Sequence, residues 1–256
     1  MTARRAPFAC LVLIALVLVL VLATTSRTVH AQDANTLTSM EKTDGWRLLF
    51  DGRTTKGWRG AFTDAFPAKD WQVRDGMLIV AGSGGAEAAS GGDIMTVDEY
   101  SNFELLVDFK LSPGANSGIK YFVTLATSQA VGSAIGLEYQ LLDDALHPDA
   151  KLGINGNRTL ASLYDLIPAP SRKVVKPMGE WNQARIVVNG KHVEHWLNGA
   201  KVIDYERGDA AFRALRAMSK FRDLPTFGEA AAGHILLQEH GSEVFFRNIK
   251  LRVLTS

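Results

Sequence analysis

An all-β fold, a sandwich of two antiparallel sheets with one short surface helix, is predicted by three features of this sequence. Short apolar runs of strand length recur from Gly45 onward, each closed by Gly, Asn, Asp or Pro. The pairs Asp75-Gly76, Asn189-Gly190 and Asn198-Gly199 stand between such runs and supply the positive φ angles of tight hairpin turns. A helical period is confined to Asp209 to Met218, where Ala, Leu and Arg predominate and no β-branched residue interrupts.

Taken in chain order, the first element lies outside the fold. Arg4 and Arg5 precede an unbroken apolar run from Phe8 to Ala23, and Val29-His30-Ala31 ends in a small residue, the pattern of a signal peptide cleaved after Ala31. An uncleaved anchor is the alternative, and the polar TTSRT that follows the run favours cleavage. The expected location is periplasmic or secreted. The single cysteine, Cys10, sits at the start of the apolar run, where a lipoprotein cysteine is not found, so the mature chain has no thiol for a disulfide, a nucleophile or a ligand. Loss of Arg4, Arg5 and Arg27 leaves 25 of the 28 basic residues against 27 acidic ones. That balance gives no footprint for nucleic acid, nor for a membrane surface in the mature form.

Residues 32–44 are polar and read as a flexible lead-in, and residues 45–256 as one domain, with no repeat or linker dividing them. The strand-like runs are WRLLFDG, WQVRDGMLIVAG, FELLVDFKLSPG, GIKYFVTL, GLEYQLLD, WNQARIVVNG, HVEHWLNGAKVIDYE, GHILLQEHG and VFFRNIKLRV. Two glycine-rich passages, Gly82 to Gly92 and Gly132 to Gly136, are loops placed to lie beside a ligand. Neither is a phosphate loop, because the lysine and the following helix are missing.

The run GHILLQEHG carries the first functional signal. Strict alternation places His234, Leu236, Gln238 and His240 on one face and sends Ile235 and Leu237 to the core. A ligand-binding face and a solvated one fit that pattern equally. In GLEYQLLDD the same rule separates Leu137, Tyr139 and Leu141 from Glu138 and Gln140, placing a carboxylate beside an amide.

LLFDG followed by GW, then GGDIMTVDEYSNFELLVDFKLSPGANSGIKYF, GLEYQLLDD with HPDA, SLYDLIPA, GEWNQARIVVNGKHVEHWLNG, SKF, and GHILLQEHG with FRNIKLR occur in that order. Together they resemble the 3-keto-disaccharide hydrolase family, formerly a domain of unknown function, from about Gly45 to Arg252. The resemblance implies a concanavalin A-like jelly-roll sandwich. It also implies an exported enzyme whose partner is a sugar already oxidised at carbon 3. A ketone there acidifies the hydrogen on carbon 2, so that a base can remove it, the enolate can expel the glycosidic oxygen from carbon 1, and water can add. Two-carboxylate hydrolysis is the competing route, and a non-catalytic sugar-binding module or an envelope interaction protein the competing functions.

The elimination needs a base near carbon 2, a donor or cation at the carbonyl oxygen, and an acid for the leaving group. Glu138 is the expected base, and His240, of a residue type that often serves as a general acid, the expected acid or carbonyl donor. Gln140, Gln238, Asn116, Lys120 and Lys220 are the expected sugar contacts, with Gly118 leaving room for a sugar ring and a lysine available to an enolate oxygen. His234, too far along its strand to share a metal with His240, is a weaker contact or a structural histidine. Arg158, Tyr164 and Asp165 lie in a long polar segment that would wall the cleft. Asp143, Asp144, His147 and Asp149 are read as a solvated, turn-forming acidic loop. Their ligand types leave a divalent metal open, although the spacing matches no ion-binding loop. No cofactor motif is evident. Of the tryptophans, Trp46, Trp58 and Trp71 are assigned to packing, while Trp181 and Trp196 are candidates for an exposed stacking face.

Overall fold

Strand formation follows the period-two pattern closely. The computed structural model describes residues 33–82, 92–125 and 134–255. The expected leader, residues 83–91 of the first glycine-rich passage and residues 132–133 of the second therefore lie outside the described residues. Among the described residues thirteen strands form two antiparallel sheets. One runs in the order β2 (Trp58–Gly60), β5 (Ile94–Thr96), β12 (His234–Leu237), β7 (Asn116–Val123), β8 (Leu137–Leu142). The other runs β11 (Ala200–Glu206), β10 (His192–Leu197), β9 (Asn182–Asn189), β6 (Phe103–Leu111), β13 (Val244–Val253), β4 (Met77–Val80), β3 (Trp71–Arg74), with β1 (Arg47–Leu48) also paired to β13. Residues 32–256 make one compact unit.

The core lies between the sheets. Phe103, Phe109 and Phe246 from one sheet, and Ile119, Tyr121, Tyr139 and Leu237 from the other, belong to the same buried cluster. Each fully buried large apolar side chain contributes about 1.5–3 kcal/mol relative to its exposed state. The core also holds one polar knot. Tyr121 Oη lies 2.8 Å from both His195 Nε2 and Tyr205 Oη. His195 is fully buried, and burial depresses its pKa from 6.5 to about 3, so the ring is neutral.

The hairpin predictions hold, with one change of register. Asp75 and Gly76 link β3 to β4, and Asn198 and Gly199 link β10 to β11, all four with positive φ. Between β9 and β10, Asn189 is still paired with His192, so the loop residues are Gly190 and Lys191. The helix α2 (Ala210–Met218) forms as expected, with the Asp209 side chain accepting from Phe212 N at its start.

The lead-in is a correction. Ser39–Thr43 forms a second helix, α1, opened by a reciprocal capping box between Thr38 and Glu41. Asn35 is buried and exchanges hydrogen bonds with Asn248 of β13, backbone N–H to side-chain oxygen in both directions, at 2.6 and 2.8 Å. Lys250 Nζ reaches Glu41 at 2.8 Å. Anchors more than two hundred residues away hold a segment whose own composition predicts none.

Candidate active site

β7 and β8 build the floor of the site. Their register pairs Gly118 with Gln140 and Lys120 with Glu138, and partners across an antiparallel ladder share a face. Leu137, Tyr139 and Leu141 fill the core, so Glu138 and Gln140 project from the other side of the five-stranded sheet, as the alternation requires. On β12, Ile235 and Leu237 face the core and Leu236 the outer side. This phase survives because an extra residue is absorbed on β7: Lys120 pairs with Leu236 but Val123 with His234, and Phe122 adopts φ +53.

The outer side is covered, and a cavity of about 320 Å³ remains. Glu138, Gln140, Asn116 and Gln238 contribute from the sheet and its immediate extension. Regular pairing stops at Leu237, yet Gln238 N still donates to Gly118 O at 3.0 Å, and His240 reaches the cavity from the turn that follows. Tyr164 and Lys220 form the opposite wall, and His147, Pro148, Asp149 and Leu152 close the rim. Seven residues expected to act on or enclose a sugar thus meet in one cavity: Asn116, Glu138, Gln140, Tyr164, Lys220, Gln238 and His240.

Glu138 is 6 % exposed. Burial holds its carboxyl above the usual carboxylate range, Asp93 pushes the same way, and Lys120, Lys220 and His240 pull against them. Gln140 is oriented with its amide nitrogen toward acceptors, donating to Ser117 O at 3.1 Å and to Glu138 Oε1 at 3.3 Å. The opposite orientation would turn its oxygen toward acceptors only. Gly118 has a role other than the one expected. A Cβ there would collide with the Glu138 carboxylate, lying 2.8 Å from its carboxyl carbon, so the space above the glycine holds the carboxylate and not a sugar ring.

Lys120 also departs from expectation. It shares the outer face with Glu138 but does not line the cavity; its ammonium is buried to one side, donating to Ala134 O at 3.0 Å and 3.5 Å from Asp93 Oδ2. Lys220 is the cation that faces the cavity. Its chain is solvent-reachable, but enough protein surrounds the ammonium to lower its pKa, and it stands 4.2 Å over the Tyr164 ring. Tyr164 Oη donates to Asp149 Oδ2 at 2.9 Å, and burial with that carboxylate keeps the phenol protonated. Arg158 lies behind this wall and clamps Asp149 at 2.9 Å and Asp165 at 2.6 Å, so it supports the site without lining it. Asp165 in turn accepts from Lys220 N at 2.7 Å. His234 lies away from the cavity, its Nε2 3.4 Å from Glu99.

The acidic segment is a further correction, since it is turn-forming but not solvated. Asp143 accepts from the backbone of Gly114, Ala145 and Leu146, and Asp144 from Leu160 N and the Lys173 ammonium. His147 Nδ1 accepts from Asp149 N at 3.2 Å, which places its proton on Nε2. These side chains are turned to separate partners and do not converge on a cation. Among the described residues the group with converging ligand atoms is His192, Glu194 and Asp204, outside the other sheet, where the Lys201 ammonium already bridges both carboxylates. Trp58 and Trp71 are buried as assigned. Trp181 and Trp196 line no part of the cavity, and their rings are covered by Arg247 and Arg185. A larger groove of about 510 Å³ lies beside Leu146, Val175 and Met178, and is apolar.

Sequence reasoning missed His147 and Asp149 as rim residues, although the HPDA motif carried both. The available signal was His-Pro followed by Asp, a capped turn that fixes side-chain directions.

Residues 45–252 match the family model for a 3-keto-alpha-glucoside-1,2-lyase-like domain. A relative from Bacteroides thetaiotaomicron named 3-keto-disaccharide hydrolase is 39% identical over 249 residues, covering 90% of this chain and 85% of its own. Two crystal structures of putative glycosyl hydrolases from Parabacteroides distasonis are also similar. One has a TM-score of 0.75 at 32% identity, covering 87% of this chain and 100% of its own. The other has a TM-score of 0.60 at 29% identity, covering 82% and 99%.

Proposed function

This chain belongs to the family of 3-keto-alpha-glucoside-1,2-lyase-like domains and is a hydrolase of glycosidic bonds, and from that premise we propose that it cleaves 3-keto-disaccharides by elimination and hydration. The reading rests above all on Glu138: a carboxylate on the cavity floor whose proton affinity is raised by burial and whose direction is fixed by Gln140 and Gly118. A base of that kind removes the proton from carbon 2 of a 3-keto sugar.

The Lys220 ammonium stabilises the enolate oxygen that develops at carbon 3. The electron pair then forms the bond between carbons 1 and 2 and expels the glycosidic oxygen, which takes its proton from His240. Water adds across the new double bond, hydroxyl to carbon 1 and proton to carbon 2, and restores the 3-keto sugar. Asn116, Gln140 and Gln238 supply amides to the hydroxyls. Asp149, the other carboxylate at the rim, is held by Arg158 and Tyr164, which favours elimination over a route needing two free carboxylates. The basic, apolar and small-residue pattern of residues 1–31 supports export of the enzyme.

The test is to incubate the protein with a 3-keto-disaccharide and with its unoxidised parent in deuterated water. Release of monosaccharide from the keto sugar alone, with deuterium at carbon 2, is expected. Cleavage of the parent, or product without deuterium, would overturn the elimination.

A further inference from the structure

Beside the cavity, the same outer face of the sheet carries a second, covered pair of charges. Lys120 is 5 % exposed and Asp93 3 % exposed, and neither touches the cavity. Asp93 closes the gap between β5 and β12: its Oδ2 faces the Lys120 ammonium at 3.5 Å, and its Oδ1 accepts from Glu239 N at 2.9 Å. Lys120 stands opposite Glu138 in the ladder. One buried ammonium is therefore set between two buried carboxylates, only one of which can meet substrate.

We propose that Asp93 is a positioning residue for Glu138: by engaging the Lys120 ammonium on the same outer face of the sheet, away from the cavity, it leaves Glu138 incompletely neutralised and able to accept a proton. Without it, the cation would be committed to Glu138. The two would form an internal salt bridge, and the base would be weaker. The other charged or titratable groups facing Glu138 are Lys220 and His240 across the cavity and Tyr164 on the wall, with Asp149 and Arg158 behind it. These are unchanged by substitution at Asp93. Glu239, wholly buried, has its Oε1 accepting from Gly241 N at 2.8 Å. The inference rests on the assignment of Glu138 as base.

The experiment is Asp93→Asn, which keeps an oxygen for Glu239 N and removes only the charge. The Glu138 carboxyl is titrated by ¹³C NMR in both proteins, and kcat/KM for a 3-keto-disaccharide is measured across pH. Loss of an anion that raises the Glu138 pKa should move its midpoint down by about one pH unit. The acid limb of kcat/KM should follow to the same extent, with a lower plateau, and Asp93→Glu should restore both. An unmoved or raised midpoint overturns the proposal, whatever the turnover. A midpoint that falls while the acid limb stays in place also overturns it, since Glu138 is then not the base being tuned. A wild-type protein that cleaves no keto sugar, with the midpoint shifted as expected, defeats the proposed function and leaves the electrostatic coupling standing. Lys120→Met supplies the opposite sign should Asp93→Asn fail to fold: the midpoint must rise, and a fall would overturn the proposal.

Discussion

The outer faces of the two sheets carry much the same residue types and have opposite physical character. Outside the eight-stranded sheet, His192, Glu194, Lys201 and Asp204 satisfy one another in reach of solvent. Glu206 above all raises the pKa of His192, the Asp204 carboxylate raises that of Lys201 and is itself lowered by it, and against its partial burial hydrogen bonds from Trp196 and Lys201 lower that of Glu194. Outside the five-stranded sheet, Glu138, Lys120, Lys220 and His240 offer a similar set, but the covering segments remove water. There the acid is pushed up and the exposed-chain lysine down. Residue types do not make the site; desolvation does, because it leaves charges that pairing has not cancelled.

The largest expected contrast is between the two glutamates. Glu138→Gln should lower kcat/KM on the keto sugar by about 10³-fold, the scale of a lost general base. Glu194→Gln should leave the rate within about twofold, as expected for a surface change; comparable losses at both positions would dissolve the distinction between the faces. Next in size is Arg158→Met, which strands Asp149 and Asp165 and should cost about 3 kcal/mol of stability by urea denaturation. Lys201→Met, in the solvated cluster, should leave the unfolding midpoint in place.

Gly118→Ala comes third. The added methyl displaces the Glu138 carboxylate, so turnover should fall by about 10²-fold while circular dichroism and melting stay close to wild type. Equal losses of fold and activity would mean that the glycine serves the sheet and not the carboxylate. The smallest effect is a pH slope, and it contrasts two histidines of β10. His195 is neutral in the core, with its pKa depressed from 6.5 to about 3. Below about pH 6.5 the unfolded chain takes up a proton that the folded chain refuses. The contribution of His195 is thus complete above that pH and is lost as pH falls toward 3. His192 has its pKa raised, so its smaller contribution is present below 6.5 and lost as pH rises. Denaturation midpoints of His195→Gln and His192→Gln across pH 4 to 8 should change slope in opposite directions.

How much of this was legible depended on the range of the interactions involved. Alternation is local, so the side of the sheet to which Glu138 and Gln140 project, and the core positions of Leu137 and Tyr139, could be read directly. The tight turns at Gly76 and Gly199 were legible for the same reason. Lys120 obeys the same alternation, but the partner that claims its ammonium is Asp93, just before β5, and no spacing rule connects them. The acidic segment looked solvated because composition does not reveal that Gly114, Leu160 and Lys173 come back to meet it. Asn35 is the extreme case, a polar residue in a polar stretch whose partner is Asn248.

That last contact bears on how the protein comes to be folded. β13 lies inside the eight-stranded sheet, flanked by β6 and β4, and it also receives β1 and the lead-in. Its partners are gathered from nearly the whole chain, so the sheet cannot close while residues 244–253 are still being synthesised. Such long-range pairing makes for slow folding with late cooperativity. Until then β6 and β4 remain without the strand that joins them, and their unpaired edges are open to association with other chains.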